Sequence, residues 1–80
     1  MLTGEQIKAA RALARIEQTE LGTRAGISID TVKRLEQIRG PIKANTSTEE
    51  AIRRAFKDAG VMFIDENGDG PGVRLRKHGV

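Results

Sequence analysis

The stretch from Gln18 to Glu36, QTELGTRAGISIDTVKRLE, decides the fold. Read as two helices around a sharp turn, it puts Leu21 and Ala25 on the inner side of the first. Gly26 is placed to adopt the left-handed conformation that ends that helix, and Ser28 to cap the next, whose inner side carries Val32 and Leu35. The pattern predicts a helix-turn-helix. Its second helix, expected over residues 28–37, turns Ile29, Asp30, Lys33 and Arg34 outward directly after the turn.

Upstream, Thr3 with Gln6 three residues on forms a capping box, and Leu2 with Ile7 a hydrophobic staple, so a first helix is expected to start at Thr3. Ile7, Ala10, Leu13, Ala14 and Ile16 are read as its inner stripe, to about Ile16. Glu17 and Gln18 open the second helix without a strong cap, and Gly22 inside it is expected to cost about 1 kcal/mol relative to Ala. Ile27 is read as a core plug in the turn. Gly40-Pro41 ends any continuation of the third helix.

Residues 38 to 46, IRGPIKANT, form a structured connection with Ile38 and Ile42 packed against the body. Ser47 with Glu50, or Thr46 with Glu49, offers a second capping box for a fourth helix through about Ala59. Ile52, Ala55, Phe56 and Ala59 face inward there, and Gly60 is its stop. The period then changes. VMFID (61–65), the turn cluster ENGDGPG and the alternating VRLRK (73–77) read as a β-hairpin. Val61, Met62, Phe63 and Ile64 are apolar on both faces, so helix four or a second subunit must cover them.

Eighty residues allow one small core. The chain has no cysteine, which excludes disulfides, thiolate metal sites and cysteine nucleophiles. No apolar run approaches the roughly 18 residues of a membrane span, and MLTGEQ lacks a basic region followed by an apolar one. A cytoplasmic protein without membrane association is expected. The formal net charge is +3; residues 1–44 carry eight Lys or Arg against five Asp or Glu, and residues 45–80 carry six against six. The basic excess accompanies the helix-turn-helix, which is compatible with phosphate contacts and equally with an ordinary solvated surface.

With Arg11, the Gln18–Glu36 stretch and Gly40-Pro41, the sequence resembles the phage repressor and Cro-like helix-turn-helix family, known as XRE-type, over residues 4–60. The recognisable elements are Arg11, Gln18, Leu21, Ala25-Gly26, Ser28, Val32 and Leu35-Glu36. The resemblance implies a mainly α, four-helix repressor-like domain over residues 1–60. Residues 61–80 add the C-terminal β-hairpin. It implies a structural ion pair between Arg11 and Glu36 that braces helix one against helix three. It also implies that Gln18 and its helix N-terminus hold a DNA phosphate. Ser28 is then a cap that touches the DNA backbone. Ile29, Asp30 and Lys33 face base edges, and Thr31 and Arg34 lie nearer the groove walls. Gly22 departs from the family's usual Ala, and Ile29 and Asp30 from its usual amides or basic residues.

Each marked residue has an alternative. Ile29 can meet a thymine methyl and Asp30 can accept from a cytosine amine, whereas an acid in a first helical turn also favours the helix dipole. Lys33 and Arg34 can bond guanine or neutralise phosphate, or be solvated surface charges. Arg39 and Lys43 either flank the same backbone or are ordinary loop charges. Asp65, Asn67, Asp69 and Gly70 match the start of a calcium loop, but the twelfth position is Arg76 and Pro71-Gly72 interrupts it, so a turn explains them better. His78 has no neighbouring ligand or nucleophile in sequence. No metal, cofactor or enzyme active site is expected.

The expected function is sequence-specific regulation of transcription, with helix 28–37 in the major groove of double-stranded DNA. A homodimer is expected, because one monomer reads few base pairs. Val61, Met62, Phe63, Ile64, Val73 and Leu75 are the candidate dimerisation residues. The alternative is a protein-interaction module on the same scaffold that sequesters a regulator or toxin.

Overall fold

A computed structural model of the chain describes residues 1–76. Its elements run α1 (Gly4–Ala14), α2 (Gln18–Ala25), α3 (Ile29–Glu36), α4 (Thr46–Asp58), β1 (Val61–Ile64) and β2 (Gly72–Leu75). This is a small, mainly helical domain closed by a two-stranded antiparallel hairpin. The last residue of the expected second strand, Lys77, and His78 lie outside the described residues.

α1 begins as the local signals dictate. Thr3 Oγ1 accepts from the Gln6 backbone N–H at 3.0 Å, and Gln6 Oε1 accepts from the Thr3 N–H at 2.9 Å, closing the capping box. Leu2 and Ile7 are both buried. The end of the helix differs from expectation. Arg15 takes the left-handed conformation at φ 59°, so α1 stops at Ala14 and Ile16 reaches the core from the connection. Leu13 is 37% exposed. At 100° per residue it lies about 120° around the helix from Ile7, outside the buried stripe.

α2 starts at Gln18 without a side-chain cap, and Gly26 ends it in the left-handed region at φ 70°. Ser28 caps α3, its Oγ accepting from the Thr31 N–H at 3.1 Å. Gly22 has a role that helix propensity does not convey. A Cβ there would stand 2.8 Å from the Ile27 carbonyl oxygen, and the Gly22 carbonyl accepts from the Ile27 N–H at 2.9 Å. The turn therefore folds directly over this residue, leaving hardly any room for a side chain. Ile27 is half-buried against the core.

The 38–46 connection is structured, as expected. Gly4 donates to the Gly40 carbonyl at 3.1 Å and Ile42 to the Leu2 carbonyl at 3.0 Å, forming a short bridge between Thr3 and Pro41. Ile42 is buried and Ile38 packs beside it. α4 is capped by Asn45, one residue before the Thr46 box and two before the Ser47 box. Asn45 Oδ1 accepts from the Thr48 N–H at 2.8 Å and from Ser47 Oγ at 2.9 Å. Ser47 thus serves the cap rather than being it. Ile52, Ala55 and Phe56 point into the core, and Gly60 follows the helix end at φ 88°.

β1 and β2 pair in the register Val61 to Leu75, Met62 to Arg74, Phe63 to Val73 and Ile64 to Gly72. β2 begins one residue earlier than expected, and β1 ends at Ile64. The hairpin lies over α1 and α4 and shares their core. Val61 is buried, Val73 packs on the core, and Phe63 meets Phe56 edge to face with ring centroids 5.5 Å apart. Gln6 clamps the far end, its Nε2 donating to the carbonyls of Ile64 at 3.1 Å and Gly72 at 3.0 Å. Val61 is thereby buried within the chain, and Phe63 and Val73 are half-buried against its core. Met62 and Leu75 remain exposed.

Candidate nucleic-acid interface

α3 contributes Val32, Leu35 and Glu36 to the interior. This fixes the opposite side outward. Asp30, Lys33 and Arg34 are exposed, and Ile29 and Thr31 are half-buried at its margins. Lys33 and Arg34 have no ion-pair partner among the described residues, so both charges are available to an external anion. Asp30 likewise has none, and it sits in the first turn, where a negative charge favours the helix dipole. Thr31 is less free: its hydroxyl shares a hydrogen bond with Ser28 Oγ at 2.9 Å, tying both to the N-terminus of α3.

α3 is held in orientation by a buried fork. Arg11 Nε donates to Glu36 Oε2 at 2.6 Å and Arg11 Nη2 to Glu36 Oε1 at 3.0 Å. The Glu36 side chain is 2% exposed and that of Arg11 19%. The hydrogen bond to Glu36 raises the Arg11 pKa above the ordinary arginine value and outweighs the opposing effect of burial, so the guanidinium stays charged. Arg11 Nη1 also donates to the Ile16 carbonyl at 3.2 Å, satisfying the chain just beyond the end of α1. The implied ion pair is present, and it joins α1, the α1–α2 connection and α3.

Gln18 joins the same cluster. Its Nε2 donates to Glu36 Oε1 at 3.1 Å, an interaction that the sequence reading did not foresee. A primary amide carries two N–H groups, so the bond to Glu36 orients the side chain and leaves the second donor for another acceptor at the N-terminus of α2. No buried side-chain nitrogen or oxygen among the described residues lacks a partner. The outward side of α3 thus stands on a satisfied polar network.

Arg39 and Lys43 are exposed on the connection after α3. Lys43 adopts φ 56°, a left-handed conformation that a non-glycine residue takes at some cost. The loop is also held by Glu5, whose Oε1 accepts from the Gly40 N–H at 3.0 Å. This bond is the largest cause of the lowered Glu5 pKa. Gly4 permits the closest approach. A Cβ there would collide with the Ile38 carbonyl oxygen and lie 2.6 Å from that of Leu35, so the start of α1 rests against the end of α3.

The ENGDGPG turn uses its polar groups internally. Glu66 Oε2 accepts from the Gly68 N–H at 2.9 Å and the Gly70 N–H at 3.2 Å, and Asp65 Oδ1 accepts from Arg53 at 3.3 Å. Among the described residues no group of three or more His, Cys, Asp or Glu is positioned to hold a metal ion. No helix among them is long and apolar enough to cross a membrane. No protein-family model and no curated protein matches the chain.

Proposed function

We propose that the protein is a sequence-specific DNA-binding regulator of transcription that acts as a homodimer, with α2 and α3 working as a helix-turn-helix of the repressor and Cro-like kind. The observation carrying this reading is the outward side of α3, where Lys33 and Arg34 stand without ion-pair partners among the described residues, on a helix braced from behind by Arg11 and Glu36. In this reading α3 enters the major groove. Lys33 meets a guanine edge, Ile29 a thymine methyl, and Arg34 and Thr31 approach the groove wall. Gln18 offers its second amide N–H to a phosphate beside the N-terminus of α2. Arg39 and Lys43 flank the same strand.

The described residues span 32 × 29 × 20 Å, no more than about one turn of duplex, so reading two successive major grooves about 34–36 Å apart takes a second copy. Salt titration of binding to duplex DNA tests the proposal. Affinity should fall steeply with salt, with a log–log slope of about −0.9 for each phosphate neutralised. Lys33→Ala should weaken specific binding by about 1–3 kcal/mol and relax preference at one base pair. Duplex binding that withstands Lys33→Ala would contradict α3 as the reading helix, and a folded protein that shows no salt-sensitive duplex binding would favour capture of a protein partner.

A further inference from the structure

Where α1 meets the end of α3 the chain leaves an open cleft of about 400 Å³, lined by Glu5 and Lys8 of α1, Glu36 and Gln37 at the end of α3, and Ile38 and Arg39 of the connection. Helix spacing puts Lys8 there. Gly4 rests on the Leu35 and Ile38 carbonyls, and Arg11 reaches Glu36. Lys8, four residues after the first and three before the second, shares their side of α1. It is exposed, as is Arg39, and neither has an ion-pair partner among the described residues.

The acids of the cleft do not cancel these charges. The Glu36 carboxylate is buried and paired with Arg11, which leaves Glu5 as the one exposed acid of the cleft against two cations. The Gly40 N–H is the main cause of the lowered Glu5 pKa, and the charges of Arg39 and Lys8 add to it, so both cations act on one carboxylate at the rim. Gln37 joins the cleft to the outward side of α3. Its backbone keeps right-handed helical angles, φ −80° and ψ −15°. At 100° per residue it therefore falls about 40° around the axis from Lys33 and about 60° from Arg34. It too is exposed. The positive cleft is thus continuous with the side of α3 that carries Lys33 and Arg34.

We propose that this cleft seats a phosphate of the DNA backbone, held by Lys8 and Arg39 with the Gln37 amide as a further donor. The proposal rests on the DNA-binding reading and extends its contact surface from α3 onto α1. Lysine and arginine side chains carry donors and no acceptor. They match phosphate oxygens and carry no sequence information there, so the contact adds affinity and fixes register without changing base preference. Glu5 acts against it through like charge.

Fluorescence anisotropy of the full chain with two labelled duplexes, one of random sequence and one carrying the site it selects, each titrated with salt, tests the assignment. Lys8→Ala should flatten the log–log salt dependence by about 0.9, the share of one phosphate, on both duplexes. Ala is the stronger helix former, so the fold is retained, which a melting temperature no lower than the wild type's verifies. Lys8→Arg keeps the charge and should keep the wild-type slope. Lys57→Ala, on the exposed side of α4, should also leave the slope unchanged. Glu5→Gln retains an acceptor for the Gly40 N–H, removes the opposing charge and should tighten binding to both duplexes. A Lys8→Ala slope matching that of Lys57→Ala, a Lys8→Arg slope as shallow as that of Lys8→Ala, or a loss confined to the selected site would overturn the phosphate seat and leave the functional reading standing. A wild-type chain without salt-sensitive duplex binding rejects both.

Discussion

Replacing Glu36 with Ala removes the acceptor of three hydrogen bonds, two from Arg11 and one from Gln18. The Arg11 guanidinium keeps only the Ile16 carbonyl and a side chain 19% exposed to water. Breaking a fully buried pair costs about 3–5 kcal/mol. Because Arg11 retains some access to solvent, Glu36→Ala should cost less, about 2–3 kcal/mol. A domain of this size has roughly 4–12 kcal/mol of total stability, so the loss is large, and it should lower Tm by roughly 10–20 °C. Arg11→Met should cost more than Glu36→Ala, since Glu36 is the deeper partner, 2% exposed. Replacing both with apolar side chains, Arg11→Met with Glu36→Leu, removes the stranded charge and should recover most of the stability. Urea denaturation followed by far-UV circular dichroism of the wild type, Arg11→Met, Glu36→Leu and the double variant closes the cycle, with Glu36→Ala measured beside it. Single losses below about 0.5 kcal/mol, or a double variant no more stable than the sum of the singles, would show that the fork does not brace the domain.

Other consequences are more local. Gly4→Ala should destabilise the domain toward the upper end of the ~1–3 kcal/mol overpacking range, because the obstructing atoms are the backbone oxygens of Ile38 and Leu35; a melting temperature equal to the wild type's would contradict that contact. At Gly22, a gain of about 1 kcal/mol in helix propensity opposes the contact with the Ile27 oxygen, so Gly22→Ala should be no more stable than the wild type in urea denaturation, where propensity alone predicts a gain of about 1 kcal/mol. The Gly40 N–H depresses the Glu5 pKa in the folded chain. The stability it supplies is present above the unfolded pKa and is lost as pH falls through the lower folded one. Glu5→Gln should therefore flatten part of the acid limb of a stability-versus-pH curve and leave the neutral-to-alkaline side with the same slope.

How much of this was legible in the sequence depended on the range of the interaction. The Thr3 and Gln6 capping box, the Ser28 cap and the left-handed Gly26 and Gly60 are set by residues within a turn or so of one another, and they appear where local chemistry places them. Asn45 is hidden in the sequence because Thr46 and Ser47 are both capable caps and each has a Glu three residues on. Leu13 has the composition of a core residue but the wrong angle about α1. Gly22 and Gly4 look like helix liabilities in one dimension, and their use comes from backbone atoms of the following turn and of the end of α3. Gln6 has the longest reach. Its amide closes a local cap and also clamps the hairpin, whose carbonyls lie 58 and 66 residues away. On the candidate interface, exposure of Lys33 and Arg34 follows from the spacing of Val32 and Leu35, whereas the bond from Gln18 to Glu36 requires three elements to converge and has no sequence signature.

The proposed function as a whole is tested most directly by selecting bound fragments from a random duplex library at moderate salt and sequencing the enriched pool. The account predicts an inverted repeat whose half-sites are centred about one helical turn, roughly 10 base pairs, apart. An unenriched pool, obtained with protein shown to be folded and dimeric, would contradict it.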